Sequence, residues 1–221
     1  MTPEPVRIAA FDLDNTVVDG ESGVLFVRFL FERRLAPLSL PLEVAFWFGL
    51  NRIGWKLEVP KVHARLIARV SNLPRDVLQD AIHEFTQTRL VPRVRQDARQ
   101  WMSRVREEGC HVVLLSASLE SMVSAVAEST EADGYVGTRL HLGRPGRLVV
   151  DGEMIFGESK VRALEHYANA RFPSWRLEYA FGNDYADRFL LQSAANPVAV
   201  CPSPQLRTLA EREGWTRADW H

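Results

Sequence analysis

The chain has 221 residues, 46% of them apolar, and its 27 Lys+Arg against 28 Asp+Glu give a formal net charge of −1. At roughly 100–200 residues per domain that is one large domain, or a domain with an insertion, and the apolar content excludes global disorder. The charge balance excludes a nucleic-acid binder that works by bulk charge, and two cysteines, Cys110 and Cys201, are too few for a disulfide-stapled secreted scaffold.

Residues 6–11 form a short apolar run that ends abruptly in Asp12-Leu13-Asp14-Asn15. Runs of this length bounded by turn-forming residues suit a strand buried on both faces of a parallel sheet. No basic region precedes the run, so no signal peptide is expected. From about residue 18 to 89 the pattern turns helical with no convincing strand, in the groups Leu25/Phe26/Phe29/Leu30, Val44/Phe46/Trp47/Phe48, Leu66/Ile67/Val70 and Val77/Leu78/Ile82/Phe85. About four helices are expected there. The apolar stretch 35–50 is interrupted by Pro37, Ser39, Pro41 and Glu43 and is too short for a membrane span. The aromatic group Phe46, Trp47, Phe48 and Trp55 reads as the core of this small helical region, with an apolar substrate cleft or a membrane surface as the alternatives.

Beyond it, Val94, Ala98, Trp101, Met102 and Val105 share one helical face, with Gly109 placed as the stop. A strand over 111–115 follows, then a helix carrying Leu119, Met122, Val123 and Val126. The glycine-rich stretch 134–154 reads as a strand followed by a small hairpin. Strands over 177–181 and 197–200 come next, and Ser203-Pro204 opens a last helix that stops at Gly214. Strand and helix alternate, which predicts an α/β fold with a mainly parallel, Rossmann-like sheet. Residues 1–17 and 90–221 would form the core and 18–89 an inserted helical unit.

Open α/β sheets bind ligands beyond the carboxyl ends of their strands. The polar residues there are Asp12 and Asp14, Ser116-Ala117-Ser118, and Gly182-Asn183-Asp184 with Asp187 close behind, while Lys160 opens the helix before that third strand end. These types fit phosphoryl transfer. A carboxylate can attack phosphorus, and a second carboxylate just past the strand end can serve as acid and base. Carboxylates with neighbouring oxygen donors suit Mg²⁺. A lysine and a hydroxyl can hold the transferring oxygens. Ser118 is also a good candidate for a helix N-cap.

Four segments together resemble the haloacid dehalogenase superfamily in its phosphatase branch: Phe11-Asp12-Leu13-Asp14-Asn15-Thr16-Val17, Leu114-Leu115-Ser116-Ala117-Ser118, Gly157-Glu158-Ser159-Lys160 and Gly182-Asn183-Asp184-Tyr185-Ala186-Asp187. The helical insertion after the first strand is similar to the cap of the phosphoserine-phosphatase-like subgroup (subfamily IB, helical C1 cap). The resemblance implies Asp12 as nucleophile and Mg²⁺ ligand, and Asp14 as acid and base with its main-chain carbonyl on the metal. It implies Ser116 and Lys160 as holders of the phosphoryl oxygens. Asn183 stands where the family usually has a carboxylate metal ligand, which implies weaker metal binding unless Asp184 reaches the metal or Asp187 supports it. Glu21 is similar in spacing to the acid that binds a substrate amino group in phosphoserine phosphatases, and Arg69 more loosely to a carboxylate-gripping cap arginine. The family's phosphoserine enzymes follow the second-motif serine with two glycines, where this chain has Ala117-Ser118. That departure lowers phosphoserine and leaves histidinol phosphate, other amino-alcohol phosphates and lysophospholipid-like monoesters open.

The resulting expectation is a cytoplasmic Mg²⁺-dependent phosphatase acting on a small-molecule phosphate monoester, with no nucleic-acid partner and no stable membrane span. Two alternatives are a phosphotransferase using the same aspartyl-phosphate and a catalytically weak binding or regulatory protein on the same fold.

Overall fold

The computed structural model describes residues 4–52, 73–142 and 148–221. Its centre is a seven-stranded sheet in the order β4-β3-β2-β1-β5-β6-β7. The strands are β1 (Val6–Asp12), β2 (His111–Leu119), β3 (Gly134–Leu142), β4 (Leu148–Asp151), β5 (Trp175–Gly182), β6 (Asn196–Val200) and β7 (Thr216–Ala218). Every neighbouring pair is parallel except β3 and β4. The helices are α1 (Ser22–Glu32), α2 (Ser39–Arg52), α3 (Arg75–Phe85), α4 (Gln96–Glu107), α5 (Glu120–Ser129), α6 (Glu158–Asn169), α7 (Arg188–Gln192) and α8 (Pro204–Glu213).

The period-two alternation of the strands sorts their side chains into two cores. On one face Phe11, Leu114 and Phe181 pack with α4 and α5 and with Phe26, Phe29, Ile82 and Phe85 of α1 and α3. On the other, Ile8, Ala10, Val113 and Leu115 pack with Leu164, Tyr167 and Ala168 of α6 and with residues of α7 and α8. The Phe11 and Phe181 rings stack at 4.0 Å across β1 and β5. Fully burying a side chain of this size is worth roughly 1.5–3 kcal/mol, so the strand that ends at Asp12 is firmly seated.

The helix stops fall where the sequence places them: Gly109 and Gly214 take φ of 83° and 67°, conformations that side chains with a Cβ rarely adopt. The glycine-rich stretch differs from its expectation. Its strand β3 pairs first with β2 and then, from Arg139 to Leu142, with β4, so the strand is itself one arm of the hairpin. β7 was too short to announce itself by alternation.

The α2 side chains also differ from their expectation. Leu40 and Val44 pack on Val27 of α1, but Leu42 and Phe46 are each 60% exposed, and Leu38, just before the helix, is 58% exposed. Phe46 is therefore not core. The side chains of Trp47 and Phe48, and all of Trp55 and Arg69, lie outside the described residues. Among the described residues no helix is long and apolar enough to cross a membrane.

Candidate active site

β1 ends at Asp12, and its register carries the site. Asp12 pairs with Leu115 of β2, one residue before Ser116, and Phe11 pairs with Phe181 of β5, one residue before Gly182. The three strand ends that carry polar residues are thus adjacent.

Past Asp12 the chain turns sharply. Asn15 adopts φ 57°, a left-handed conformation that asparagine tolerates better than most residues. The Thr16 and Val18 amides both return to the Leu13 carbonyl. The turn brings the Thr16 hydroxyl to Asp12 Oδ2, to which it donates at 2.9 Å. Thr16 is fully buried, a positioning role that its place in the first motif could have suggested.

Lys160 reaches the other oxygen of Asp12 from 148 residues away, donating from Nζ to Oδ1 at 2.5 Å. The start of α6 fixes it: Gly157 turns with φ 60°, and the Ser159 hydroxyl accepts from the Phe156 amide. The same ammonium donates to Asp187 Oδ1 at 2.5 Å. Asp187 Oδ2 in turn accepts the amides of Asn183 and Asp184 at 3.2 and 3.1 Å. Gly182 makes room for this, since a Cβ there would lie 2.6 Å from that of Asp187.

Asp12, Lys160 and Asp187 are each at most 5% exposed. Burial opposes the charge of Lys160, but Asp12 and Asp187 outweigh it and hold the ammonium above the usual lysine range. Burial pushes Asp12 up to about 8 against the pull of Lys160, and the charges of Asp187 and Asp14 add to the rise. With both buried carboxylates ionised, the one cation they share leaves an excess negative charge. A hard divalent cation would offset it.

Asp14 lies just past the strand in a different environment. Its Oδ1 accepts the Ser22 amide at 2.8 Å, and its Oδ2 accepts the Ser22 and Ser118 hydroxyls at 3.0 and 3.1 Å. The two hydroxyls also lie within hydrogen-bond distance of each other, so their two protons are shared among three contacts. Ser22 opens α1, so a carboxylate here meets an otherwise unpaired amide and the favourable end of the helix dipole. Ser118 is not the N-cap its sequence position suggested: α5 starts after Leu119 with no side-chain cap. Ser22 left no signal beyond its place at the start of a helical pattern.

Ser116 is buried, and its Oγ accepts the Ser118 amide at 3.0 Å. Glu21 immediately precedes α1 and accepts from Asn15 Nδ2 at 2.5 Å. Burial raises its carboxyl to about 7, and the Asp14 charge adds to this. The structure thus brings Asp12, Asp14, Ser116, Lys160 and Asp187 to one sheet edge, with Glu21 on the loop from Asp14.

Asn183 uses its backbone to meet Asp187 and Ser203, and its side chain makes no hydrogen bond among the described residues. Asp184 is instead occupied as a cap, accepting the Ala186 amide at 2.9 Å. Among the described residues no three His, Cys, Asp or Glu side chains gather as a metal site. The oxygen set of Asp12, the Asp14 carbonyl and Asn183 contains only one such side-chain ligand, and its hard donors suit Mg²⁺. A cavity of about 380 Å³ lies beside the site rather than in it, between Arg75 and His83 of α3 and Leu119, Glu120, Thr138 and Arg139. Thr138 links the two, donating to the Ala117 carbonyl at 2.7 Å.

The profile of the haloacid dehalogenase-like hydrolases matches residues 9–192. The chain belongs to this family. It is a phosphoric monoester hydrolase of the phosphoserine-phosphatase-like type. A histidinol-phosphatase from Neisseria meningitidis serogroup C (strain 8013) is 24% identical over 217 residues, covering 95% of this chain and 96% of that one. A solved protein of unknown function from Bordetella pertussis Tohama I superposes with a TM-score of 0.84 at 21% identity, covering 98% and 99% of the two chains. A phosphoserine phosphatase solved as its phospho-aspartyl intermediate analogue gives 0.70 at 21% identity over 97% and 93%. Both structures share this fold.

Proposed function

We propose that this chain is a Mg²⁺-dependent phosphatase that hydrolyses a small-molecule phosphate monoester through an aspartyl-phosphate on Asp12. The observation that carries the reading is Lys160, a buried ammonium delivered to the oxygen of a strand-end aspartate from 148 residues away. In this reading an Asp12 oxygen attacks phosphorus while the bond to the alcohol breaks, and Asp14 gives its proton to the departing oxygen. Asp14 then takes a proton from the water that attacks the acyl-phosphate, which frees inorganic phosphate and restores Asp12. Ser116 and Lys160 hold the phosphoryl oxygens.

Mg²⁺ would be held by the Asp12 carboxylate, the Asp14 main-chain carbonyl and Asn183, with Asp187 fixing the loop behind them. When bound, it offsets charge on the transferring group. The helices within 18–89 act as a cap that excludes bulk water and selects the substrate. Glu21, whose carboxyl is held up to about 7, would ionise fully against a substrate ammonium, which favours amino-alcohol phosphates such as histidinol phosphate. The setting is cytoplasmic.

The test is hydrolysis of p-nitrophenyl phosphate with and without Mg²⁺, in wild type and Asp12→Asn, followed by a panel of phosphate monoesters. Metal-dependent turnover by the wild type alone is expected. Turnover that survives Asp12→Asn removes the nucleophile assignment, and an inactive wild type favours a binding protein. Asn183→Asp should tighten Mg²⁺ binding, and an unchanged metal titration would remove Asn183 from the ligand set.

A further inference from the structure

We propose that Ser118 and Ser22 form a two-hydroxyl clamp that positions the Asp14 carboxyl group for proton transfer to the leaving oxygen. This rests on the phosphatase reading above. The two serines come from opposite sides of the site, Ser22 from the first turn of α1 and Ser118 from the end of β2, 96 residues apart. Both reach the same oxygen, Asp14 Oδ2, within hydrogen-bond distance, while Oδ1 is held by the Ser22 amide. The carboxyl group is therefore fixed at both oxygens. A group that transfers a proton needs this, because efficiency depends on holding its oxygen within hydrogen-bond reach of the reacting atom.

Ser118 is the informative member. It is half-buried and does not cap α5. Its amide donates to Ser116 Oγ, so the same residue orders the hydroxyl proposed to hold the phosphoryl group and the carboxyl proposed to protonate the alcohol. A serine hydroxyl both donates and accepts, which lets Ser118 accept from Ser22 while it donates to Asp14. A residue without a side-chain hydroxyl at position 118 would leave Asp14 on Ser22 alone. Ser118 is thus a positioning residue acting through Asp14, which touches the substrate.

The experiment measures kcat/KM for aryl phosphates whose leaving groups run from nitrophenols to unsubstituted phenol. A good leaving group departs without protonation, so a proton-transfer defect grows with leaving-group basicity. Asp14→Asn, Ser118→Ala and Ser118→Thr are compared with wild type. We expect Ser118→Ala to lose roughly tenfold more on phenyl phosphate than on p-nitrophenyl phosphate, in the direction of Asp14→Asn but short of it, and Ser118→Thr to recover most of the loss. An equal loss across the series, or none, would overturn the clamp while Asp14→Asn still steepened the dependence. If Asp14→Asn itself left the dependence unchanged, the acid assignment would fall, and the proposed mechanism with it.

Discussion

Asp12 and Asp14 are separated by one residue and live in opposite electrostatic worlds. Asp12 is buried against an ammonium that a second buried carboxylate shares. Asp14 is half-buried and, among the described residues, is held by neutral donors, two hydroxyls and an amide. The strand end explains the division. Asp12 is the last residue of β1 and faces the helix that carries Lys160, whereas Asp14 lies in the turn and faces the start of α1. The lesson is that two like residues acquire different uses from what their neighbours present, and the neighbours come from distant parts of the chain.

The largest effect should come from breaking the ionic side. Lys160→Met leaves Asp12 and Asp187 buried together without a cation, and removing one partner of a buried pair costs about 3–5 kcal/mol. Urea unfolding should show a loss of this size and p-nitrophenyl phosphate turnover should vanish; a variant of wild-type stability would mean that the ammonium is not paired. Gly182→Ala comes next. Its new Cβ meets Asp187 at 2.6 Å, and such overpacking costs about 1–3 kcal/mol, measurable in the same unfolding experiment.

A pH-dependent effect separates Glu21 from both. Its folded value of about 7 lies above the ordinary 4.5, so the folded state keeps a proton that the unfolded chain loses. Its contribution is fully present below about pH 4.5 and is lost as pH rises through about 7. Glu21→Gln should therefore flatten the decline of stability over that window and stabilise the protein above it, by on the order of 1–2 kcal/mol. Thermal melts from pH 4.5 to 8 read this directly, and parallel pH profiles for the two proteins would count against it.

The smallest effect belongs to the neutral side. Ser22→Ala deletes one hydroxyl from Asp14 but leaves the amide of residue 22 in place, and should cost about 0.5–1.5 kcal/mol. A loss as large as that of Lys160→Met would erase the contrast between the two carboxylates.

Much of this arrangement was legible in the chain. The run into Asp12 identified β1 because a strand buried on both faces needs no polar alternation, and Gly109, Gly214 and Pro204 marked helix ends by backbone chemistry alone. The strand-end rule then pointed to Asp12, Ser116 and the 182–187 segment. What stayed hidden depended on direction in space. Whether Ser118 caps a helix or turns to Asp14 is decided by where β2 ends, and its four residues beyond Leu115 carried no sign that they continue the strand. Gly182 gave no sign that Asp187 would fold back on it. Phe46 falls in one helical group with the buried Val44, and spacing alone cannot tell which side of an apolar helix is covered.

The sheet order has a consequence for how the protein is made. β1 is central and both of its neighbours come late: its first partner residue in β2 is His111 and in β5 is Trp175. As the chain leaves the ribosome, an apolar strand ending in Asp12 must wait for about a hundred residues of synthesis before one flank can be paired, which at roughly 5–20 residues per second is several seconds or more. Among the described residues, the helices made in that interval include local partners that can shelter it. The strand that ends at Asp12 is thus made long before either of its neighbours, and its second flank stays open until β5 has been synthesised.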